Sequence, residues 1–213
     1  MLSVTGDNWE ADTRASYDTV AESYADQVRG AIAHYPYLRA ALAAFAESTG
    51  GGPVADIGCG PGEVTAHLNE LGVEAFGIDL SPAMIALARR THPGLRFEVG
   101  SMVALELPAA SVGGLLAWQS LIHVPDAEIP AVLAGFHRVL RPGGPLQLLF
   151  HVGDTSRLKT EGYGGHPMKV RVHRRRPERV SAWLRAAGFE VEAELLLDPA
   201  AEVPQAVLFA RRG

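Results

Sequence analysis

Hydrophobic residues along the chain follow two alternating patterns. Apolar positions with helical spacing separate several short apolar runs, each of which has the length of a buried strand. These runs lie at residues 54–57, 73–78, 95–99, 112–118 and 145–151. Because the strands alternate with helical stretches of ten or more residues, the pattern predicts an α/β fold with a largely parallel sheet and helices on both faces.

The pattern changes at both ends of this alternating region. Before the first strand, helical spacing predicts helices at residues 12–28 and 34–47, and a further helix at 126–140 precedes the fifth strand. After the fifth strand, residues 152–172 contain four glycines and two charged clusters, which is typical of a mobile insert. The remaining elements predicted are a short strand near 168–173, a helix at 177–187 and strands at 189–197 and 206–211.

A glycine turn follows the first strand. Residues 56–62 read Asp-Ile-Gly-Cys-Gly-Pro-Gly, and Gly58 and Gly60 permit backbone conformations or close ligand approach that a Cβ would obstruct. Asp79 ends the second strand 21 positions after Gly58, which is the spacing of a carboxylate that binds a ribose. Capping of the next helix is the other physical role for Asp79, but Ser81 fills that role better.

Residue 63 indicates which nucleotide cofactor fits the turn. Dinucleotide-binding folds often carry a third glycine there, whereas this chain has Glu63, whose carboxylate would repel a pyrophosphate at the helix N-terminus. The Asp-x-Gly-x-Gly-x-Gly form of residues 56–62 instead resembles motif I of the class I S-adenosylmethionine-dependent methyltransferases. That cofactor carries no phosphate.

The resemblance covers most of the chain and implies a Rossmann-like methyltransferase fold. This fold is doubly wound, with a seven-stranded, mostly parallel sheet and a C-terminal antiparallel hairpin. We therefore expect one domain over residues 1–213. Its expected parts are a helical lid (1–48), a cofactor-binding core (49–151), a substrate-covering insert (152–176) and a C-terminal helix and strand hairpin (177–213).

The resemblance also implies S-adenosylmethionine as cofactor, S-adenosylhomocysteine as its product, and a set of contacts. Asp56 would lie near the methionine ammonium, and Asp79 would hold the ribose hydroxyls. Ser101 stands where the family usually has an aspartate that accepts the adenine amino group, and a hydroxyl accepts that bond less strongly. The residues expected to bind the cofactor are Tyr24, Asp56, Gly58, Cys59, Gly60, Asp79, Leu80, Met84, Ser101, Met102, Trp118 and Gln119.

The first predicted helix carries a second motif. Residues 17–24 read Tyr-Asp-Thr-Val-Ala-Glu-Ser-Tyr and resemble the opening of many small-molecule methyltransferases, whose aromatic residues close over the methionine end of the cofactor. By spacing alone, Tyr17 and Tyr24 share one helix face, so a packed core stripe is the competing interpretation. We expect Tyr17 to bind substrate together with His166 and His173 of the insert.

Two histidines are candidates for proton transfer. If the acceptor is a hydroxyl, a proton must leave it, and an imidazole is the natural group to receive that proton. His123 follows the fourth strand and His151 ends the fifth, so both lie at the edge of the sheet where donor and acceptor meet. A hydrogen bond to a loop carbonyl is the structural alternative for His123. No residues have metal-ligand spacing, so no metal is predicted.

Charge and composition restrict the function classes. A net charge of −5 argues against general affinity for nucleic acid. The basic run at residues 173–176 is interpreted as a solvated surface edge, and contact with an acidic substrate group or a phosphate is the alternative. The apolar runs are too short for a membrane span, and the first residues lack the blocks of a signal peptide. We expect a cytoplasmic enzyme, monomeric or homodimeric, whose partner is a small molecule.

Three functions remain open on the sequence. The leading one is methyl transfer to an oxygen or nitrogen of a small-molecule acceptor, for which a secondary metabolite is one candidate. An NAD-dependent oxidoreductase is disfavoured by Glu63 and by the lack of an evident Tyr-x-x-x-Lys pair. A non-catalytic regulator that binds the cofactor would retain the same motifs.

Overall fold

The computed structural model describes residues 8–213. Its helices are α1 (Trp9–Val28), α2 (Ala31–His34), α3 (Pro36–Ser48), α4 (Glu63–Glu70), α5 (Pro82–Thr91), α6 (Ile129–Val139) and α7 (Pro177–Ala186), with a 3₁₀ helix at Leu121–His123. Its strands are β1 (Val54–Ile57), β2 (Ala75–Asp79), β3 (Phe97–Val99), β4 (Gly114–Trp118), β5 (Pro145–His151), β6 (Ser156–Gly162), β7 (His166–His173), β8 (Phe189–Leu197) and β9 (Gln205–Arg212).

Seven of these strands form the main sheet, in the order β3-β2-β1-β4-β5-β9-β8. Strands β1 to β5 are parallel, and β9 runs antiparallel to both β5 and β8. The predicted fold class, with one antiparallel strand inserted at the C-terminus, is confirmed. The strand order reverses between β1 and β4, and ligands bind at such a switch point in doubly wound sheets.

Helices cover both faces of the sheet because the central strands are apolar on both sides. In β4, Leu115 and Ala117 pack with α6 and α7 on one face, whereas Leu116 and Trp118 pack with α3 and α4 on the other. A strand buried on both faces reads as a continuous apolar run, which is the pattern that predicted it.

Residues 152–176 contain more regular structure than the short strand predicted near 168–173. They contain a second, two-stranded antiparallel sheet formed by β6 and β7. Buried Met168 and Val170 alternate with exposed Lys169 and Arg171, so one face of β7 is apolar and packs against Val20 of α1. This buried face explains why the glycine-rich segment is a regular hairpin.

Other element boundaries differ by a few residues, for local reasons. Helix α1 begins at Trp9. The helix predicted at 34–47 corresponds to α3, which has Pro36 in its first turn, and the short helix α2 before it was not predicted. Pro130 lies in the first turn of α6, which starts at Ile129 rather than at residue 126. The first seven residues of the expected lid lie outside the described part of the chain. Within residues 8–213, no helix has the length and apolar character needed to cross a membrane.

Candidate active site

A pocket lies at the carboxyl ends of β1, β2 and β4, beneath α1. The turn after β1, the end of β2, the loops after β3 and β4, and one face of α1 contribute its walls. The pocket therefore occupies the switch point of the sheet.

The glycine turn is held tightly against the neighbouring strands. The N–H groups of Gly58 and Cys59 both donate to the carbonyl of Ile78, at 2.7 and 3.1 Å. Gly58 has a φ of +77°, and a Cβ there would lie 2.2 Å from Cβ of Ser120. Glycine at position 58 is therefore required both by backbone conformation and by space.

Asp79 forms the wall between the glycine turn and α5. Its Oδ2 accepts a hydrogen bond from the N–H of Gly60 at 2.8 Å, and its Oδ1 accepts one from the N–H of Ser81 at 2.8 Å. Burial raises the pKa of Asp79, and these two N–H donors counteract part of that rise. The carboxylate is therefore fixed in position at the pocket wall, at the place expected for a ribose-binding group.

Asp56 does not line the pocket, contrary to the expectation that it lies near the methionine ammonium. Its side chain is buried and accepts a hydrogen bond from Oγ1 of Thr65 in α4 at 2.7 Å. Burial raises the pKa of Asp56 to about 7, although the bonds from Thr65 oppose the shift. The alternation of side chains along β1 explains the difference, because Asp56 points toward α4.

Cys59 and Trp118 also lie outside the pocket, although both were expected to bind the cofactor. Cys59 is buried in a small apolar cluster with Phe97. Trp118 lies on the α3 side of the sheet, and its Nε1 donates to Oε1 of Gln147 at 2.8 Å. Both side chains therefore contribute to packing.

The remaining residues expected around the nucleoside line the pocket. Leu80 and Met84 form one apolar side, and Ser101 and Met102 follow β3 on the other. Met84 is also fully buried, so its core and pocket roles coexist. The Ser101 hydroxyl accepts a hydrogen bond from the N–H of Val103 at 3.2 Å.

Gln119 lines the pocket after β4 and carries an unsatisfied polar atom. Its Nε2 donates to Oε1 of Gln205 at 3.0 Å, but its own Oε1 is buried and has no hydrogen-bond partner among residues 8–213. Buried polar groups are nearly always paired, so this acceptor indicates a ligand that donates a hydrogen bond. The ammonium of a methionine group is such a donor, so the pocket fits the expected cofactor.

Helix α1 brings Tyr17 and Tyr24 to the pocket. The rings meet edge to face, with centroids 5.8 Å apart, and Tyr24 makes a similar contact at 4.9 Å with Tyr163 of the hairpin. Both rings also pack against a buried cluster that includes Val20 and Met168. The two interpretations of this helix face therefore hold together, since the residues are packed and also line the pocket.

Asp18 is a residue that sequence reasoning missed. Its Oδ1 accepts hydrogen bonds from Oγ of Ser81 at 2.6 Å and from the N–H of Ala83 at 3.1 Å. Ser81 caps α5 as predicted, accepting from the N–H of Met84 at 3.1 Å. Asp18 thus attaches α1 to the segment that positions Asp79. Its place in the Tyr-Asp motif was the available signal, but the partner is distant in sequence.

His123 lines the pocket, and both of its ring nitrogens have partners. Nε2 lies 2.8 Å from the hydroxyl of Tyr17, and Nδ1 lies 3.0 Å from the carbonyl of Arg171 in β7. Burial lowers the pKa of His123 to about 4. The imidazole is therefore neutral near pH 7.

The other histidines do not line the pocket. His151 is half-buried at the end of β5, and burial lowers its pKa. Nδ1 of His173 lies 2.7 Å from Oγ of Ser156, its partner across the hairpin. His166 is exposed at the start of β7. Neither His166 nor His173 is among the residues that line the pocket, although His151 and His173 lie close enough to His123 to lower its pKa.

The basic run at residues 173–176 was expected to be a solvated surface edge, but one of its side chains is buried. The side chain of Arg175 is 2% exposed and donates to the carboxylate of Asp126 at 2.9 Å, to the carbonyl of Leu121 at 3.0 Å, and to the carbonyl of Val124. It therefore holds both ends of the 3₁₀ helix that carries His123. Arg176 follows the expectation, being exposed and paired with Asp154.

Further pocket residues were not identified from the sequence. Trp9, Thr13 and Arg14 of α1 and Val124 after the 3₁₀ helix line the part of the pocket nearest Tyr17. Positions 9, 13 and 17 follow one helix face, which was the available signal.

Comparisons with known proteins agree with this geometry. Residues 54–144 match the family model described as a methyltransferase domain. The chain is 30% identical over 158 residues to ubiquinone biosynthesis O-methyltransferase of Pseudomonas aeruginosa. The aligned region covers 67% of this chain and 66% of that enzyme, so the chain spans slightly less than two thirds of the relative's length.

Solved structures share the whole fold. 1,6-Didemethyltoxoflavin-N1-methyltransferase of Burkholderia thailandensis, whose structure contains S-adenosylhomocysteine, matches with a TM-score of 0.76 and 24% identity. That match covers 100% of this chain and 92% of the other. Magnesium protoporphyrin IX methyltransferase of Synechocystis PCC 6803 matches with a TM-score of 0.75 and 15% identity, covering 99% and 100%. At these identities the likeness shows the fold alone.

Proposed function

We propose that this chain, which belongs to the S-adenosylmethionine-dependent methyltransferases, transfers a methyl group from that cofactor to an oxygen or nitrogen of a small-molecule acceptor. The observation that carries the proposal is the pocket at the switch point of the sheet. Its wall combines the fixed carboxylate of Asp79 with the unpaired acceptor Oε1 of Gln119.

Each part of the cofactor has a candidate contact in this pocket. Asp79 would hold the ribose hydroxyls, and Oε1 of Gln119 would accept from the methionine ammonium. Gly58 and Gly60 would let the backbone approach the ligand closely. Leu80, Met84, Ser101 and Met102 would surround the adenine. When bound, S-adenosylmethionine supplies a methyl group that is already activated by a sulfonium.

The charges near the turn support this cofactor over a dinucleotide. Asp79 lines the pocket, and the carboxylate of Glu63 begins α4 directly after the turn. Arg14 is the lone Lys or Arg among the described residues that line the pocket. A pyrophosphate would face carboxylates here rather than the donors it needs.

The relatives support a small-molecule acceptor. The enzyme from Pseudomonas aeruginosa is an O-methyltransferase of ubiquinone biosynthesis, and the structure from Burkholderia thailandensis contains the small molecule 1,6-didemethyltoxoflavin. The net charge of −5 supports the same class over nucleic acid.

Isothermal titration with S-adenosylhomocysteine, and with NAD in parallel, tests the cofactor. We expect binding of S-adenosylhomocysteine alone. Asp79→Asn should weaken that binding about tenfold or more, because charge-assisted hydrogen bonds to the ribose become neutral ones. The exposed Asp198→Asn is the matched control and should bind normally.

The titration also separates the alternatives. Binding of NAD alone would refute the proposal. Candidate acceptors are then screened by mass spectrometry for a gain of one methyl group. Binding of S-adenosylhomocysteine with no methylated acceptor would favour the non-catalytic regulator.

A further inference from the structure

The part of the pocket not used by the cofactor has its own chemistry. Trp9, Thr13 and Tyr17 of α1 face His123 and Val124 across it. Aromatic and aliphatic groups dominate, and Arg14 supplies the one full charge on this side. Among the described residues that line the whole pocket, Asp79 is the one carboxylate, and it belongs to the cofactor side.

Hydrogen bonding fixes the tautomer of His123. A carbonyl oxygen can only accept, so the contact with Arg171 at 3.0 Å requires a proton on Nδ1. The imidazole is neutral, so Nε2 carries no proton and accepts. Tyr17 must therefore donate its hydroxyl proton to Nε2 across 2.8 Å.

This arrangement gives Tyr17 a defined polarity. With its proton directed at His123, the phenol oxygen has no proton to offer. Tyr163, which shares a side-chain hydrogen bond with Tyr17, must therefore be the donor in that bond, as a ligand would be at the remaining position. A ligand that reaches Tyr17 in the pocket must be a hydrogen-bond donor at that point. A protonated amine has no lone pair to receive a methyl group, and a neutral amine attacks before it loses a proton. The proton-accepting pair of Tyr17 and His123 therefore suits a hydroxyl acceptor, which must lose its proton as the new bond forms.

We infer, building on the proposed methyl transfer, that the acceptor is an uncharged or anionic hydroxyl compound whose O–H donates to Tyr17. Tyr17 is then the catalytic residue that contacts the acceptor. His123 is a positioning residue that acts through Tyr17, instead of contacting the substrate as the sequence suggested.

Protons and electrons balance along this path. The acceptor oxygen forms a bond to the methyl carbon as the carbon–sulfur bond breaks, and that electron pair stays on sulfur. The acceptor proton moves to Oη of Tyr17 while the Tyr17 proton moves to Nε2 of His123. After the product leaves the pocket, the imidazolium returns a proton to Tyr17 as the Tyr17 hydroxyl releases one to water, which restores the neutral pair.

The test uses the full-length protein with S-adenosylhomocysteine bound and ¹⁵N-labelled histidine. NMR should show one imidazole with protonated Nδ1 and unprotonated, hydrogen-bonded Nε2, and His123→Gln should remove that signal. Phenol and 4-hydroxybenzoate at millimolar concentration should shift the Nε2 resonance, and benzylamine should leave it unchanged. Tyr17→Phe should abolish the shift, whereas exposed Tyr35→Phe should preserve it.

The outcomes separate this inference from the proposed function. Failure to bind S-adenosylhomocysteine would count against the proposed function. Normal binding with a protonated Nε2, or with no response to either hydroxyl compound, would overturn the inference alone. If Tyr17→Phe does not fold, the tautomer and the response of the unmodified protein still decide.

A kinetic comparison completes the test once an acceptor is methylated. Tyr17→Phe should lower kcat by about 10²-fold or more, the usual contribution of a positioned proton acceptor. His123→Gln should also lower kcat, with KM for the acceptor changing little, while affinity for S-adenosylhomocysteine stays normal in both variants. Faster methylation of an amine than of the matching hydroxyl compound would contradict the inference.

Discussion

Asp79 receives hydrogen bonds from two backbone N–H groups, those of Gly60 and Ser81. Asp18 of α1 accepts a hydrogen bond from the Ser81 side chain, so three segments far apart in sequence, at residues 18, 60 and 79–81, are connected beside the pocket. Individual residues thus act at this site through short chains of contacts.

Removing the Asp18 carboxylate should loosen Asp79 without unfolding the protein. We expect Asp18→Ala to weaken binding of S-adenosylhomocysteine about tenfold, since a hydrogen bond to a charged group contributes about 1.5–3 kcal/mol and part of it serves this site. Isothermal titration measures the effect. Asp26→Ala is the control, because Asp26 lies on the same helix and pairs with Arg29 in solvent. Equal affinities for the two variants would mean that Asp18 does not position Asp79.

Gly58→Ala tests the fit of the glycine turn. A Cβ at position 58 would clash with Ser120, so we expect a loss of roughly 3 kcal/mol or more in the free energy of unfolding. Gly72→Ala is matched in backbone conformation, with a φ of +84°, but nothing lies within 4 Å of its Cβ. Urea denaturation should show a cost near 1 kcal/mol for Gly72→Ala. Equal costs would mean that backbone strain alone, and not the contact with Ser120, requires glycine at position 58.

Among the elements, α1 serves as a strap across the carboxyl edge of the sheet. It is attached to α5 through Asp18 and through the ion pair of Glu22 with Arg90. On its other side, Oγ of Ser16 accepts from the N–H of Lys169 in β7 at 2.8 Å. The strap and the hairpin together enclose the pocket.

The segment between the hairpin and α7 supports the 3₁₀ helix through Arg175. Arg175→Lys should lower the free energy of unfolding by about 3 kcal/mol, because a single ammonium cannot satisfy the carboxylate and both buried carbonyls. Arg176→Lys changes an exposed pair with Asp154 and should cost less than about 1 kcal/mol. Urea denaturation compares the two variants. A small cost for Arg175→Lys would mean that the 3₁₀ helix does not depend on this guanidinium.

Taken as a whole, the molecule follows its sequence in the order of elements and in the place of the site. The spacing from Gly58 to Asp79 located the pocket because consecutive parallel strands end at the same edge. Asp56 and Arg175 were misplaced for one reason: the direction of a side chain depends on neighbours such as Thr65 and Leu121 that the local pattern does not reveal. Strand β7 was predicted near residues 168–173, but its partner β6 was missed because residues 156–162 are mostly exposed and carry no apolar alternation.

Two buried groups with opposite effects should shape the pH dependence of stability. The folded pKa of His123 is lowered to about 4 from 6.5, so acidification from pH 6.5 to 4 protonates the unfolded state first and lowers stability. The folded pKa of Asp56 is raised to about 7 from 3.8, so the same acidification protonates the folded state first and raises stability.

Single substitutions should expose each contribution. Relative to the unmodified protein, His123→Gln should lose less stability between pH 7 and pH 4.5, and Asp56→Asn should lose more. Each difference approaches about 1.4 kcal/mol per pH unit within its window. Urea denaturation across this range measures both, and parallel curves for either variant would mean that the substituted group titrates normally in the folded protein.

The contact between His123 and Arg171 is made by the main-chain oxygen of Arg171, while the side chain of that residue points into solvent. Any amino acid that keeps β7 paired would supply the same oxygen. A substitution of Arg171 should therefore leave the hydrogen bond to Nδ1 of His123 in place. Substitutions at position 171 that keep β7 paired can therefore change the surface of the hairpin without altering the tautomer of His123.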